Sequence, residues 1–427
     1  MSSANPSAPP RSSDVVDVAC PFCGLICDDL VIARDGERLR VRANGCPISV
    51  PAFERRIVQS DVTPRMRGRP VVAEEAIVAA AGLLRTARLP LFGGLGTDVA
   101  GVRAAARLAD RCGGVLDHMH SAAALRNALA LQDGGWITTT LSEVRNRADL
   151  LVVAGTDVVT RFPRFFERCI ANRETLFAEN RRCEVIFVGC PVPEGLELAV
   201  MPASIRCAPP RLHEAFGVVR ALAAGRRPQA SDVAGAPVRV WEELAERMRS
   251  ARYGVLAWAA ADLDFPHADL TVQALCELLG DLNRTTRFCG LPLGGSDGEI
   301  TSESVQIWQT GYGSRTGYGR GYPDADTYHY SAARLLDGGE ADLLVWISSF
   351  DIARTPPRRS VPTVVLGGAG MTFESEPEVF IPVGTPGIDH AGHLFRTDRV
   401  VTLPLHRLRE SVLPAVGQVL GAIESAI

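Results

Sequence analysis

A series of short apolar runs set between longer helical stretches constrains the fold of this chain most. The runs are Leu89 to Phe92, Leu150-Leu151-Val152-Val153-Ala154, Val185-Ile186-Phe187-Val188, Val255-Leu256-Ala257-Trp258, Leu343-Leu344-Val345-Trp346-Ile347 and Val364-Val365-Leu366. None alternates apolar with polar, as a strand with one wet face would; continuous runs of this length fit strands covered on both faces. Between them, Glu74 to Arg85, Asp98 to Cys112 and Ala268 to Leu282 read as helices. Strands alternating with helices predict doubly wound, mostly parallel α/β domains.

The expected fold class is therefore α/β, with a small cysteine-bearing module in front. A length of 427 residues leaves room for two or three domains. The predicted organisation is a disordered Ser/Pro/Ala-rich tail over 1–14, a four-cysteine module over 15–60, one α/β domain over 61–225 and a second over 238–427. Ala223 to Pro237 is the expected linker. Within the module, Val15 to Val18 and Leu39 to Val41 are expected as strands flanking a hairpin turn at Arg34-Asp35-Gly36-Glu37. Arg407 to Ile427 reads as an amphipathic helix that Pro414 starts or kinks.

The net charge of −4 gives no general attraction to nucleic acid or to an anionic membrane. No apolar run approaches the length of a membrane span. The first residues carry no apolar segment of the kind that directs export, and eleven cysteines, an odd number, do not read as a disulfide framework. The expected location is the cytoplasm, where clustered thiols point to metal.

The strongest chemical signal is Cys20-Pro21-Phe22-Cys23-Gly24-Leu25-Ile26-Cys27, followed at a distance by Cys46-Pro47. Four thiolates, three of them from one turn, match the ligand count of a [4Fe–4S] cluster, one per iron. Structural zinc is the main rival, although zinc ribbons usually pair two Cys-x-x-Cys knuckles. A set of plain thiols is the third reading. Ligand count and spacing favour the cluster, with Cys20, Cys23, Cys27 and Cys46 as its ligands. The other seven cysteines, Cys112, Cys169, Cys183, Cys190, Cys207, Cys276 and Cys289, show no ligand spacing and read as small buried hydrophobes.

Several apolar runs end in glycine-rich turns, among them Gly93-Gly94-Leu95-Gly96, Gly155-Thr156-Asp157, Gly294-Gly295-Ser296-Asp297-Gly298 and Gly367-Gly368-Ala369-Gly370. Open α/β sheets bind ligands at the carboxyl ends of their strands. None of the four is a dinucleotide fingerprint, and tight turning alone accounts for such glycines. His118 and His120 are the one close histidine pair; with no further histidine series beside them, surface or interface packing is expected rather than a metal role. Asp28-Asp29 is expected to cap backbone amides. Trp308 to Tyr312 with Gly317 to Tyr322 forms an aromatic, glycine-rich, basic stretch that suits a subunit interface.

These motifs carry a family resemblance. Cys23-Gly24-Leu25-Ile26-Cys27-Asp28-Asp29 resembles the signature of the B subunit of formylmethanofuran dehydrogenase, within the molybdopterin oxidoreductase superfamily. Agreement continues in order through Leu131-Gln132-Asp133-Gly134-Gly135-Trp136, Thr140 to Asp149, Trp308 to Tyr312, Arg320-Gly321-Tyr322-Pro323, Gly384-Thr385-Pro386-Gly387-Ile388 and Phe395-Arg396-Thr397-Asp398. The resemblance implies a component of a complex interconverting carbon dioxide and formylmethanofuran, with one [4Fe–4S] cluster and a tungsto- or molybdopterin. It also implies a Cys or selenocysteine ligand to that metal shortly before Leu131, near Ala124 or Leu125. No Cys occurs between Cys112 and Cys169, and neither a methyl nor an isobutyl group replaces a soft thiolate. Gly155 to Thr160 also lacks the Asn-Pro that the active enzymes tend to show there.

In both respects the chain is most similar to the bacterial formyltransferase/hydrolase complex. That resemblance implies a non-redox structural B subunit in one-carbon metabolism, with A-, C- and D-type partners, a methanofuran-type carrier, and no tungsten- or molybdenum-pterin. The alternatives are a working dehydrogenase component and a stand-alone Fe–S electron-transfer protein. Arg354, Arg358 and Arg359 are read either as former contacts of pterin phosphates or as a solvated basic turn.

Overall fold

A computed structural model describes residues 14–171, 175–176, 182–358 and 360–427. Its chain contacts form two units, 1–121 with 295–427, and 122–294. The expected boundaries differ from these. Leu150–Ala154 pairs in parallel with Gly254–Ala259, so strands from either side of the expected linker share one sheet. The 223–237 stretch itself folds back as a small hairpin, Asp232–Val233 against Ala236–Pro237, and buries Ala234 and Ala236 in the core.

The first unit opens with a three-stranded antiparallel sheet: β1 (Asp14–Val18), β2 (Leu30–Asp35) and β3 (Arg38–Ala43), in that spatial order. The hairpin turn falls at Gly36-Glu37 as expected, but its first strand is β2; Val15 to Val18 belongs to a third strand laid on the far side of β2. In sequence the short run Leu30 to Ala33 gives no signal apart from the charged residues that follow it.

Behind this module stands a nine-stranded sheet. Its central strands are all parallel and run in the order Val115–His118, Pro90–Gly96, Leu343–Ser348, Thr363–Gly368 and Val379–Val383. Short antiparallel strands close both margins. The run 343–347 shows why it does not alternate: Leu343, Val345 and Ile347 enter one apolar layer while Leu344 and Trp346 enter the layer on the opposite face. Each such side chain contributes about 1.5–3 kcal/mol on full burial. The helix Val99–Cys112 begins where Asp98 accepts from Gly101 N (3.0 Å) and stops at Gly113, whose φ of 67° is left-handed. Near the end of the chain the helix is shorter than expected, Val416–Ala426, and Pro414 lies just before it.

The second unit holds a five-stranded, wholly parallel sheet in the order Ala203–Ile205, Glu184–Val188, Leu150–Ala154, Gly254–Ala259 and Phe288–Leu293. The helices Leu212–Ala223, Val238–Ser250 and Ala268–Leu282 pack with it around Phe216, Trp241, Trp258 and Leu279. Among the described residues no helix is long and apolar enough to cross a membrane.

Candidate functional site

Between β1 and β2 the chain folds into a tight loop that carries three of the expected ligands. Cys20 N donates to Cys27 O (2.8 Å) and Ile26 N to Cys23 O (3.2 Å), with Ile26 at a φ of 42°. Cys20, Cys23 and Cys27 are all buried in this loop. Cys46, half-buried, stands beyond β3, where its N donates to Ser49 Oγ (2.9 Å) and Ser49 N donates to its Sγ (3.3 Å).

Burial pushes the Cys20 thiol well up, and charge on Cys23, Cys27 or Cys46 would push it further. Burial, then Cys27 and Cys46, carries Cys23 up to about 12. Amide bonds from Phe22 to Cys20, and from Leu25 and Ile26 to Cys23, pull the other way. The four sulfurs therefore feel one another's charge, and a bound cation is what would relieve their ionised forms. Among the described residues, no group of three or more His, Cys, Asp or Glu side chains is closed into a metal cage. The donor set, four thiols with amide N–H groups directed at sulfur, suits a thiolate-bound cluster or zinc.

The back of this loop is packed against a second one. A Cβ on Gly295 (φ 97°) would lie 2.9 Å from Gly24 Cα, and Thr397 N donates to Gly24 O (2.8 Å). The Gly295 loop leads to Asp297, a non-glycine residue at a φ of 53°. Asp297 gathers a network at the carboxyl ends of the parallel strands. His120 Nε2 lies 2.8 Å from Asp297 Oδ2, and Arg354 Nε pairs with the same oxygen at 3.2 Å. His120 N donates to His118 Nδ1 (3.0 Å), which leaves the proton on Nε2 to donate to Asp297 O (3.1 Å).

Burial, and then the neighbouring His120, lowers His118 to about 3, so the ring is neutral. Asp297 is pushed up by burial, but the hydrogen bond and charge of His120 and the charge of Arg354 outweigh this and hold it below the usual carboxylate range. Asp117, at the strand end beside His118, is raised by burial to about 6 while Ala332 N donates to it (2.7 Å). Glu299, accepting from Gly295 N (2.9 Å), is raised by burial and by Glu303, which is itself bound by Arg399 (2.6 Å). The arrangement holds one neutral buried imidazole and one carboxylate-oriented, partly exposed imidazole. That pairing can bind and position a polar group or pass a proton.

The structure places Cys20, Cys23 and Cys27 on one buried loop and Cys46, half-buried, beyond β3. It corrects the expectation for the histidines: His118 is 2% exposed and hydrogen-bonded inside the unit, not packed at a surface. Sequence reasoning gives Asp297 only as part of a turn. The glycines around it are a signal, but its pairing with His120 spans too much sequence for spacing to reveal. Arg354 serves Asp297, Arg358 is exposed beside Glu374 (3.2 Å), and Arg359 lies outside the described residues. Ala124 is buried and Leu125 half-buried in the helix Ser121–Gly134.

The comparisons with known proteins place this architecture. Acetylene hydratase from Pelobacter acetylenicus matches with a TM-score of 0.64 at 9% identity, over 96% of this chain and 69% of that one. The crystal structure of the formyltransferase/hydrolase complex from Methylorubrum extorquens, solved with methylofuran, matches with a TM-score of 0.72 at 27% identity, over 85% of this chain and 98% of that one. The chain shares its fold with both structures. No family model matches the chain. In sequence it is 28% identical to the B subunit of the tungsten-containing formylmethanofuran dehydrogenase 2 of Methanocaldococcus jannaschii, over 94% of this chain and 95% of that protein. It is 29% identical to the B subunit of the formyltransferase/hydrolase complex of Methylorubrum extorquens, over 79% of this chain and 89% of that protein. The chain is thus similar over most of its length to B subunits of formylmethanofuran dehydrogenase and of the formyltransferase/hydrolase complex, the resemblance its motifs carry.

Proposed function

We propose that this chain is the B subunit of a formyltransferase/hydrolase complex in cytoplasmic one-carbon metabolism, where it serves as a non-redox structural component. Its partners are A-, C- and D-type subunits, and a methanofuran-type carrier is handled by the complex as a whole. One observation carries the reading: Ala124 and Leu125 stand in a stretch without cysteine from Cys112 to Cys169. A tungsten or molybdenum centre needs a soft donor that these side chains do not offer, so the residues present do not fit that group. The complex purified with its partners is expected to hold no stoichiometric tungsten or molybdenum by elemental analysis; a full equivalent of either would overturn the proposal.

The longer alignment to the tungsten-containing dehydrogenase favours a second reading, an active oxidoreductase with another metal ligand. That reading requires viologen-linked formylmethanofuran oxidation by the same preparation. The four thiols Cys20, Cys23, Cys27 and Cys46 would hold a [4Fe–4S] cluster, which supplies one-electron transfer or a cross-link between β1 and the loop after β3. Iron and acid-labile sulfide are expected in the anaerobically purified chain and are lost in Cys27→Ala; zinc in their place would assign the site to a structural metal.

A further inference from the structure

The open edge of the cysteine module carries a feature that the proposed function leaves unused. β3 is the last strand of its sheet, so its outer side pairs with no other strand. Along it Arg38 and Arg40 alternate on one face, and Arg42, the extra residue of a bulge opposite Val31 and Ile32, is exposed beside them. They line a cleft of about 1100 Å³ together with Asp35, Glu37, Leu39 and Val41, and it is completed by 54–59, Val62 and 409–413. Arg56 adds a fourth cation, and among the described residues the side chains of these four have no ion-pair or hydrogen-bond partner.

Most of the other charges in the cleft are engaged; Asp35 and Glu37 stand at its hairpin end, Asp35 opposite Arg38, and leave the arginine row in excess. Glu410 pairs with Arg407 (2.8 Å), and Arg409 is tied to Asp389 (2.7 Å). Glu54 accepts from Val41 N (3.0 Å), so a carboxylate already takes one amide of the open edge. The rest of the lining includes Val58 and Val412, 58% and 83% exposed, unusual places for bare aliphatic side chains.

We infer that this cleft docks an extended acidic segment of a partner polypeptide along β3. Arginines two residues apart on a strand are spaced by about 6.6–6.8 Å, the repeat at which an extended peptide presents every second side chain. Carboxylates at alternate positions meet the arginine row, aliphatic residues between them cover Val58 and Val412, and the backbone adds to the free edge. Guanidinium forks suit carboxylates in this role. Single-stranded nucleic acid is the poorer fit: no aromatic side chain lines the cleft to stack a base.

The test uses the full chain and a short fluorescent peptide alternating Glu and Val. The peptide is expected to bind, to weaken as salt is raised, and to slow amide exchange over Leu39 to Ala43. Arg38→Glu/Arg40→Glu/Arg42→Glu together should weaken it about tenfold or more and confer binding of the matching Lys and Val peptide. Arg40→Gln alone, at an exposed position, gives a smaller loss in the same direction and guards against misfolding of the triple variant. No binding by the unaltered chain, affinity unmoved by either variant, or equal competition by oligothymidylate would overturn the inference.

Discussion

The carboxyl ends of the parallel strands in the two sheets are built differently. In the second unit the strand ends close with local bonds. Thr156 Oγ1 donates to Ala154 O (3.0 Å) and accepts from Ala259 N (2.8 Å), Asp157 caps the short helix after it, and Arg161 pairs with Asp262 near the surface. In the first unit the same level of the sheet holds buried charge: Asp297 with His120 and Arg354, and Asp389, its side chain 1% exposed, with Arg409. Buried charge costs stability unless it is paired. The first unit retains paired buried charge at its sheet end and the second retains little there. The second unit is held chiefly by apolar packing.

Three measurements would break or sharpen this contrast. The largest effect belongs to the apolar unit. Trp241, fully buried, is expected to cost about 3–5 kcal/mol on truncation to Ala. This should be seen as faster amide exchange in the strand Leu150–Ala154, with the iron content unchanged. Loss of iron in that variant would show that the thiol site depends on the second unit's core.

Next, Asp297→Ala is expected to destabilise the strand Val115–His118 by about 2–3 kcal/mol, because it strips a charge-assisted bond from His120 and a partner from Arg354. Asp262→Ala in the other unit should cost under about 1 kcal/mol, since Arg161 remains one-third exposed. Equal costs by hydrogen exchange would remove the distinction between the two sheet ends.

The smallest effect, reckoned per pH unit, is an acid limb. His118 is neutral in the fold down to about 3, whereas the unfolded chain protonates it near 6.5. Its contribution is complete above 6.5 and is lost as pH falls from 6.5 towards 3. Asp117 runs the other way: held up at about 6 against an ordinary 3.8, its ionised form penalises the fold above 6, and the penalty fades between 6 and 3.8. The two slopes oppose each other over that interval, and His118 acts alone below it. His118→Gln is therefore expected to lose less stability on acidification than the parent, by about 1.4 kcal/mol for each pH unit below 6.5. Denaturant titrations across that range with equal slopes would contradict it.

Strands buried on both faces were legible because burial on both faces removes polar residues from the run; 150–154 and 343–347 announced themselves in this way. Val379–Val383 was not, since Pro382 interrupts it. Its antiparallel neighbour, Arg65–Met66, reaches only Val379 and Phe380, so the ladder on that side ends before the proline. That Cys20, Cys23 and Cys27 share one loop was legible because their close spacing requires it, whereas the place of Cys46 depends on how β2 and β3 are folded. Asp297 was not, because its meeting with His120 is decided by how the sheet is wound. The unit boundaries were hidden for a related reason: the linker composition of 223–237 is equally that of a hairpin that fills a corner of the core, and only strand pairing tells the two apart.

The packing of Gly24 on Gly295 has a consequence for inheritance. With the Gly24 α-carbon 2.9 Å from where a methyl group on Gly295 would lie, and Gly295 at a left-handed φ of 97°, position 295 cannot accept even alanine unless the backbone moves. A lineage that adds a side chain to the turn presenting Asp297 must therefore rebuild the thiol loop in step.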